Sequence, residues 1–232
     1  MMATLCALLW AAPGAVAGEV SAGFGLGIGT DMPDKVSKDY ANFGPGPGLL
    51  IPLWWELGSA ARLRATARAD MAMGSDRVTW AAGAVDGSDV RLYDDDHLAV
   101  LVAASLTVGG EVVIPGSGVA PYLGAELGPA WIGTYHSLDG ATATALLDPE
   151  QNELDNPGNI DPYTGQVAWR SDVHLGVQPS IGDTSSAWLE LGYSLAFVGE
   201  KALRKTPEDI DARRAPYGYN AIRLGVGLAF EL

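Results

Sequence analysis

The sequence predicts an all-β chain, an eight-stranded antiparallel up-and-down β-barrel that crosses a membrane with its strands. Three observations carry this. Apolar residues recur with a period of two over long segments, the connections between segments alternate long and short, and charges inside the segments keep to the parity opposite the large apolar residues.

The first segment, 18–30, sets Phe24, Leu26 and Ile28 against Gly23, Gly25, Gly27 and Gly29. Its Gly-x-Gly-x-Gly run lacks the helix and acidic partner of a dinucleotide fingerprint, so it reads as a glycine ladder on one strand face. Segment 47–57 carries Trp55 on one parity and Glu56 on the other. The clearest alternation is 61–73, where Leu63, Ala65, Ala67, Ala69, Met71 and Met73 oppose Arg62, Arg64, Thr66, Arg68 and Asp70. Segments 97–109, 119–135, 166–179 and 186–199 follow, and after the connection 200–216 the last strand sets Ile222, Leu224, Val226, Leu228 and Phe230 against Arg223, Gly225, Gly227 and Glu231. Most exceed the roughly 9 to 11 residues that a tilted strand needs to cross a bilayer.

The connections 31–46, 74–96, 136–165 and 200–216 are long, while 58–60, 110–118 and 180–185 are short. Long external loops and short periplasmic turns are the pattern of a bacterial outer-membrane barrel with its first strand running outward. In such a barrel the apolar parity meets lipid and the other parity fills the lumen. Glu56, Arg62, Arg64, Arg68, Asp70, Glu126, Arg170, Asp172, Glu190, Arg223 and Glu231 all fall on the lumen parity. Eight strands leave an interior just wide enough for side chains, so charges of both signs are expected to pair there and plug it. His174 shares that parity and is expected to join Arg170 and Asp172. Trp131, Trp169 and Phe197 at external strand ends, with Trp55 and Phe230 at periplasmic ends, supply an aromatic girdle. A soluble barrel would turn its charged face to water with lysines on it, yet none of the eight segments contains a lysine.

Composition agrees. Of 232 residues 18% are charged and 48% hydrophobic; charge falls below the roughly 25% of soluble domains, which suits strands with one face in lipid. An excess of 28 acidic over 14 basic residues excludes a nucleic-acid backbone as partner. No apolar run approaches the roughly 18 residues of a membrane-spanning helix. Leu5–Leu9 followed by Ala15-Val16-Ala17 reads as a signal peptide over 1–17, leaving a single barrel domain at 18–232. The sole cysteine, Cys6, lies in the leader, so no thiol or disulfide chemistry is expected.

Pro121-Tyr122-Leu123-Gly124-Ala125-Glu126-Leu127-Gly128 resembles the P-Y-L-G-x-x-x-G run of the small outer-membrane β-barrel superfamily, the eight-stranded OmpA-like and OmpX-like proteins. The last strand is similar to that family's assembly signal, with Leu232 at the end where an aromatic is usual and Phe230 two residues earlier. The resemblance covers 18–232. It implies a monomer in the outer membrane of a diderm bacterium, in contact with outer-membrane lipid and lipopolysaccharide and inserted by the barrel assembly machinery. No attached peptidoglycan-binding domain is implied.

Two loops concentrate the negative charge. Asp94-Asp95-Asp96, and Asp155 with Asp161, offer oxygen ligands for a hard cation or a cation bridge to lipopolysaccharide phosphate, but their spacing matches no calcium loop and they read first as solvated acidic surface. Loop 200–216, with Lys201, Arg204, Lys205, Arg213 and Arg214, is expected to pair with its acidic neighbours. His136, Ser137 and Asp139 bring triad residue types together, yet adjacent strand residues point to opposite faces, so no catalytic residue and no cofactor are expected. A role in envelope structure or surface interaction follows, with a small channel or a lipid A-modifying enzyme as alternatives.

Overall fold

The computed structural model describes residues 18–31, 41–82, 91–115, 118–136, 163–199, 201–202, 211–214 and 217–232. The expected leader 1–17 and Asp155 and Asp161 lie outside the described residues. Among the described residues there are eleven strands: β1 (Val20–Asp31), β2 (Ala41–Phe43), β3 (Gly46–Gly58), β4 (Ala61–Ala82), β5 (Arg91–Val113), β6 (Val119–His136), β7 (Tyr163–Pro179), β8 (Ser185–Val198), β9 (Lys201–Ala202), β10 (Asp211–Arg214) and β11 (Tyr217–Glu231). Eight of them, β1, β3 to β8 and β11, form the wall. Sequence neighbours pair antiparallel, and β1 closes the ring against β11 from Ser21↔Glu231 to Asp31↔Ala221.

Period-two alternation becomes inside and outside. Phe24, Leu26 and Ile28 of β1, Leu123 and Leu127 of β6, and Ile222, Leu224, Val226 and Leu228 of β11 are exposed, while their neighbours of the other parity face the lumen. In water this would be an apolar surface far beyond the few hundred Å² that soluble monomers show. In lipid it is the solvated face. The turns at the other extreme are tight, and Gly118, at φ 86, holds a left-handed conformation that a side chain would strain.

Strand lengths correct one expectation. The segment 74–96 is mostly strand: β4 and β5 pair without interruption from Ala61↔Val112 to Ala82↔Arg91. Asp94, Asp95 and Asp96 therefore lie in β5, opposite Thr79, Val78 and Arg77. At about 3.4 Å per residue this hairpin is roughly 75 Å long, or roughly 50 Å tall at a 45° tilt. It outruns a hydrocarbon core of about 30 Å.

Its projecting edge is covered. Where β3 stops, β2 pairs with β4 through Phe43↔Gly74, and farther out β10 pairs through Arg214↔Val78 to Asp211↔Ala81, with β9 added beyond it. The contact between the basic fourth loop and its neighbour is thus a backbone ladder, which satisfies donors and acceptors that an open edge leaves bare. Charge counting alone could not show that.

Replacing Leu224, near the middle of β11 on the outward face, by Arg is expected to lower stability by about 2–4 kcal/mol if that face meets the bilayer midplane. The urea unfolding midpoint of the barrel in lipid vesicles measures it.

Candidate functional site

Below the projecting hairpin the lumen is filled in layers, each built from the inward parity of several strands. Nearest the short turns, Trp54 of β3 and Trp188 of β8 are buried with Leu50 and Ala229. Trp188 lies flat on a floor of glycines: a Cβ at Gly227 would stand 2.5 Å from its Cζ2 atom. Glycine there makes room for an indole. Both tryptophans occupy lumen parity, but an expectation of tryptophan at the lipid girdle drew attention to Trp55, Trp131 and Trp169. Those three, with Phe197 and Phe230, point outward, and Trp131 stacks on Tyr163 at 6.0 Å between ring centroids.

The next layer centres on Arg64 of β4, fully buried. Its Nη1 donates to Glu111 Oε1 at 2.7 Å and to Glu190 of β8, and its Nε donates to Thr66 Oγ1 at 2.9 Å. Arg62 donates its Nε to Glu111, and its guanidinium lies 5.0 Å from the Trp54 ring and 4.9 Å from that of Tyr122. Tyr122 donates to Glu190 at 3.2 Å, and Glu126 accepts from Thr66 at 2.8 Å. Glu111 falls within the connection 110–118 that the sequence reads as a short turn. It belongs to β5 instead, on the inward parity of Thr107 and Gly109, and the extra strand length is what brings it into the network.

Above this layer Asp172 and Asp70 are the acceptors. Arg68 reaches Asp172 at 2.9 Å, Arg170 reaches Asp70 at 3.0 Å and Asp172 at 3.1 Å, and Arg223 lies 2.9 Å from Asp70. Ser194 donates to Asp172, and Arg170 also donates to Ser105 and Ser194. His174 departs from expectation. It belongs to the lower layer, with Nε2 2.8 Å from Glu111 Oε1, because two residues along β7 separate it from Asp172 by almost a full pleat repeat. Glu56 stands apart near the mouth, 3.8 Å from Arg62.

Five buried arginines (Arg62, Arg64, Arg68, Arg170, Arg223) thus meet five carboxylates (Asp70, Glu111, Glu126, Asp172, Glu190). Several of the pairs cross the barrel, while those of Arg62 and Arg64 with Glu111 join neighbouring strands. In the ring order, β4 and β8 are four strands apart either way, so Arg64–Glu190 joins diametrically opposite walls. Glu111, His174 and Glu190 each offer a ligand atom within 4.8 Å of the others, but the Arg64 guanidinium already contacts both glutamates as their cation, which leaves a metal ion no place.

The outer third corrects a further expectation, that the lumen is polar throughout. Phe43, Ala99, Leu101, Ala103, Ala130, Ile132, Ala196, Val198, Tyr219 and Ala221 form a buried apolar cluster there. Where strands rise toward water on the outside, the interior can be an ordinary core.

A closed ring of eight antiparallel strands, an apolar exterior and a filled polar centre define the class: the chain has the fold of the small outer-membrane β-barrels. The outer membrane protein OprG from Pseudomonas aeruginosa superposes with a TM-score of 0.55 at 12% identity, over 93% of this chain and 96% of that one. Neisserial surface protein A gives 0.48 at 11% identity, over 94% of this chain and 99% of its own. Ail of Yersinia pestis gives 0.42 at 12%, over 93% and 100%. At 12% identity the likeness to OprG is one of fold. No protein-family model and no curated protein sequence matches the chain.

Substituting Arg64 by Ala leaves two buried glutamates without their shared cation and is expected to destabilise the barrel by about 3–5 kcal/mol. Urea titration of tryptophan fluorescence, with heat-modifiable gel migration as a check on folding, reads the loss.

Proposed function

We infer that the protein is a non-conducting outer-membrane barrel whose work is done at its ends: a rigid anchor that carries the β4–β5 hairpin and its added strands out from the membrane, in an envelope-structural or surface-interaction role. One observation supports this above the rest. Ion pairs join opposite walls in the middle of the lumen, and an apolar cluster fills the space above them. A hydrated ion would have to separate buried charges to pass, which removing even one partner makes costly by several kcal/mol.

The outward belt supports contact with outer-membrane lipid and lipopolysaccharide, and with every wall strand paired on both sides the barrel needs no second copy to complete it. The alternating last strand supports delivery by the barrel assembly machinery. Catalysis is not part of this reading: the buried lumen carboxylates are paired with arginines, and His174 holds Glu111 and not a serine. Fractionation should place the protein in the outer membrane with heat-modifiable migration. In planar bilayers the purified barrel is expected to give no steady single-channel current. Large, sustained steps would overturn the plug and favour the channel reading.

A further inference from the structure

The end of the barrel that carries the short turns is open. A vestibule of about 230 Å³ lies there, ringed by the ends of all eight wall strands and the turn between β7 and β8. Its charges are of two kinds in two places. Glu19, Glu56, Asp183 and Glu231 line it, with Glu19, Asp183 and Glu231 exposed at the rim. Arg62 lines it from within, 4% exposed.

Arg62 is incompletely used. Its Nε donates to Glu111 and its Nη1 to Gln178 Oε1 at 2.6 Å, but Nη2 is buried with no acceptor. A buried guanidinium donor without a partner is costly, and of the arginines that have one, Arg62, Arg68 and Arg223, Arg62 is the one that lines the vestibule. Two aromatic rings, those of Trp54 and Tyr122, flank the guanidinium. A carboxylate approaching through the vestibule would complete the fork with charge-assisted hydrogen bonds. A simple anion is disfavoured, because it must pass four carboxylates; a simple cation finds the rim but leaves Arg62 as it was. Only a molecule bearing both signs satisfies both ends. The hydroxyls of Ser21, Ser185 and Ser186 on the same walls suit the polar backbone of such a ligand.

We propose that this vestibule is a binding site for small basic zwitterions, amino acids or short peptides with a free carboxylate and more than one amine. The carboxylate takes the Arg62 guanidinium, and the amines take Glu19, Glu56 and Glu231. The site is independent of whether the barrel conducts, since it shares only Arg62 with the charged layers and includes none of the cross-lumen pairs Arg64–Glu190, Arg68–Asp172 and Arg170–Asp70.

The test is a titration of the full barrel in lipid nanodiscs, followed by amide chemical shifts, with the dipeptide lysyl-alanine as probe. Saturable shifts are expected at the 180–185 turn and around Glu19, Glu56 and Glu231. The carboxyl-amidated dipeptide and the form acetylated on both amines should each bind at least about tenfold more weakly, one charge-assisted contact being worth that factor or more. Glu19→Gln and Glu231→Gln, both exposed, should weaken the native dipeptide without changing the unfolding midpoint. Arg62→Gln should abolish the distinction between the free and amidated dipeptides; if that variant does not fold, the amidated probe still asks the same question of the wild-type barrel. Equal binding of the free and amidated forms, shifts elsewhere on the barrel, no saturable shifts at all, or binding of calcium chloride alone with none of the dipeptide would each overturn the proposal.

Discussion

A narrow barrel in lipid has its polarity inverted, and its interior is the constraint on which everything else depends. The outer face must be apolar, so polar side chains go inward, and eight strands leave too little width for them to keep a water shell. Charges placed there must neutralise one another directly. Arg64 answers this by meeting Glu111 of the neighbouring strand and Glu190 from the opposite side of the ring, and Arg68, Arg170 and Arg223 answer it around Asp70 and Asp172. Such pairs contribute little net stability compared with a well-packed apolar interior, but each is costly to break, so together they fix the cross-section and the register of facing strands.

The layers above and below follow from the same constraint applied at different heights. Tryptophans close the lower side of the network where glycines of β1 and β11 leave a slot for Trp188. Toward the far end the wall no longer needs a polar interior, and alanines with Leu101, Ile132 and Phe43 make a core resembling that of a soluble barrel. That core supports the β4–β5 hairpin as it leaves the membrane, while β2 and β10 cover the edge that β3 abandons. The result is a projecting hairpin on a closed base, which is the basis for reading the protein as an anchor with functional ends.

Much of this was legible in the sequence because period two is a direct image of the pleat. Arg62, Arg64, Arg68 and Asp70 announce the inside of β4, and Leu224 and its neighbours the outside of β11, with no knowledge of what they touch. Partners were less legible, since which arginine meets which carboxylate depends on stagger around the ring. His174 shows it: parity put it in the lumen, but only the register of β7 against β5 and β6 gives it Glu111. Glu111 itself was hidden by an early strand end, although its parity continues that of Thr107. Asp94 to Asp96 misled in the opposite direction, because an acidic run looks like a loop even when its backbone is paired. Trp54 and Trp188 were concealed by the strong association of tryptophan with the membrane interface.

The central claim is that Arg64 and Glu190 are bonded across the full width of the lumen, and a double-mutant cycle on that pair measures it most directly. Unfolding free energies of the wild-type barrel, Arg64→Met, Glu190→Gln and the double variant would give a coupling energy. A favourable coupling within the range of about 0.5–3 kcal/mol seen for residues in one ion-pair network is predicted, toward its upper end because the pair is buried. Additive effects, with a coupling indistinguishable from zero, would contradict a lumen closed by paired charges.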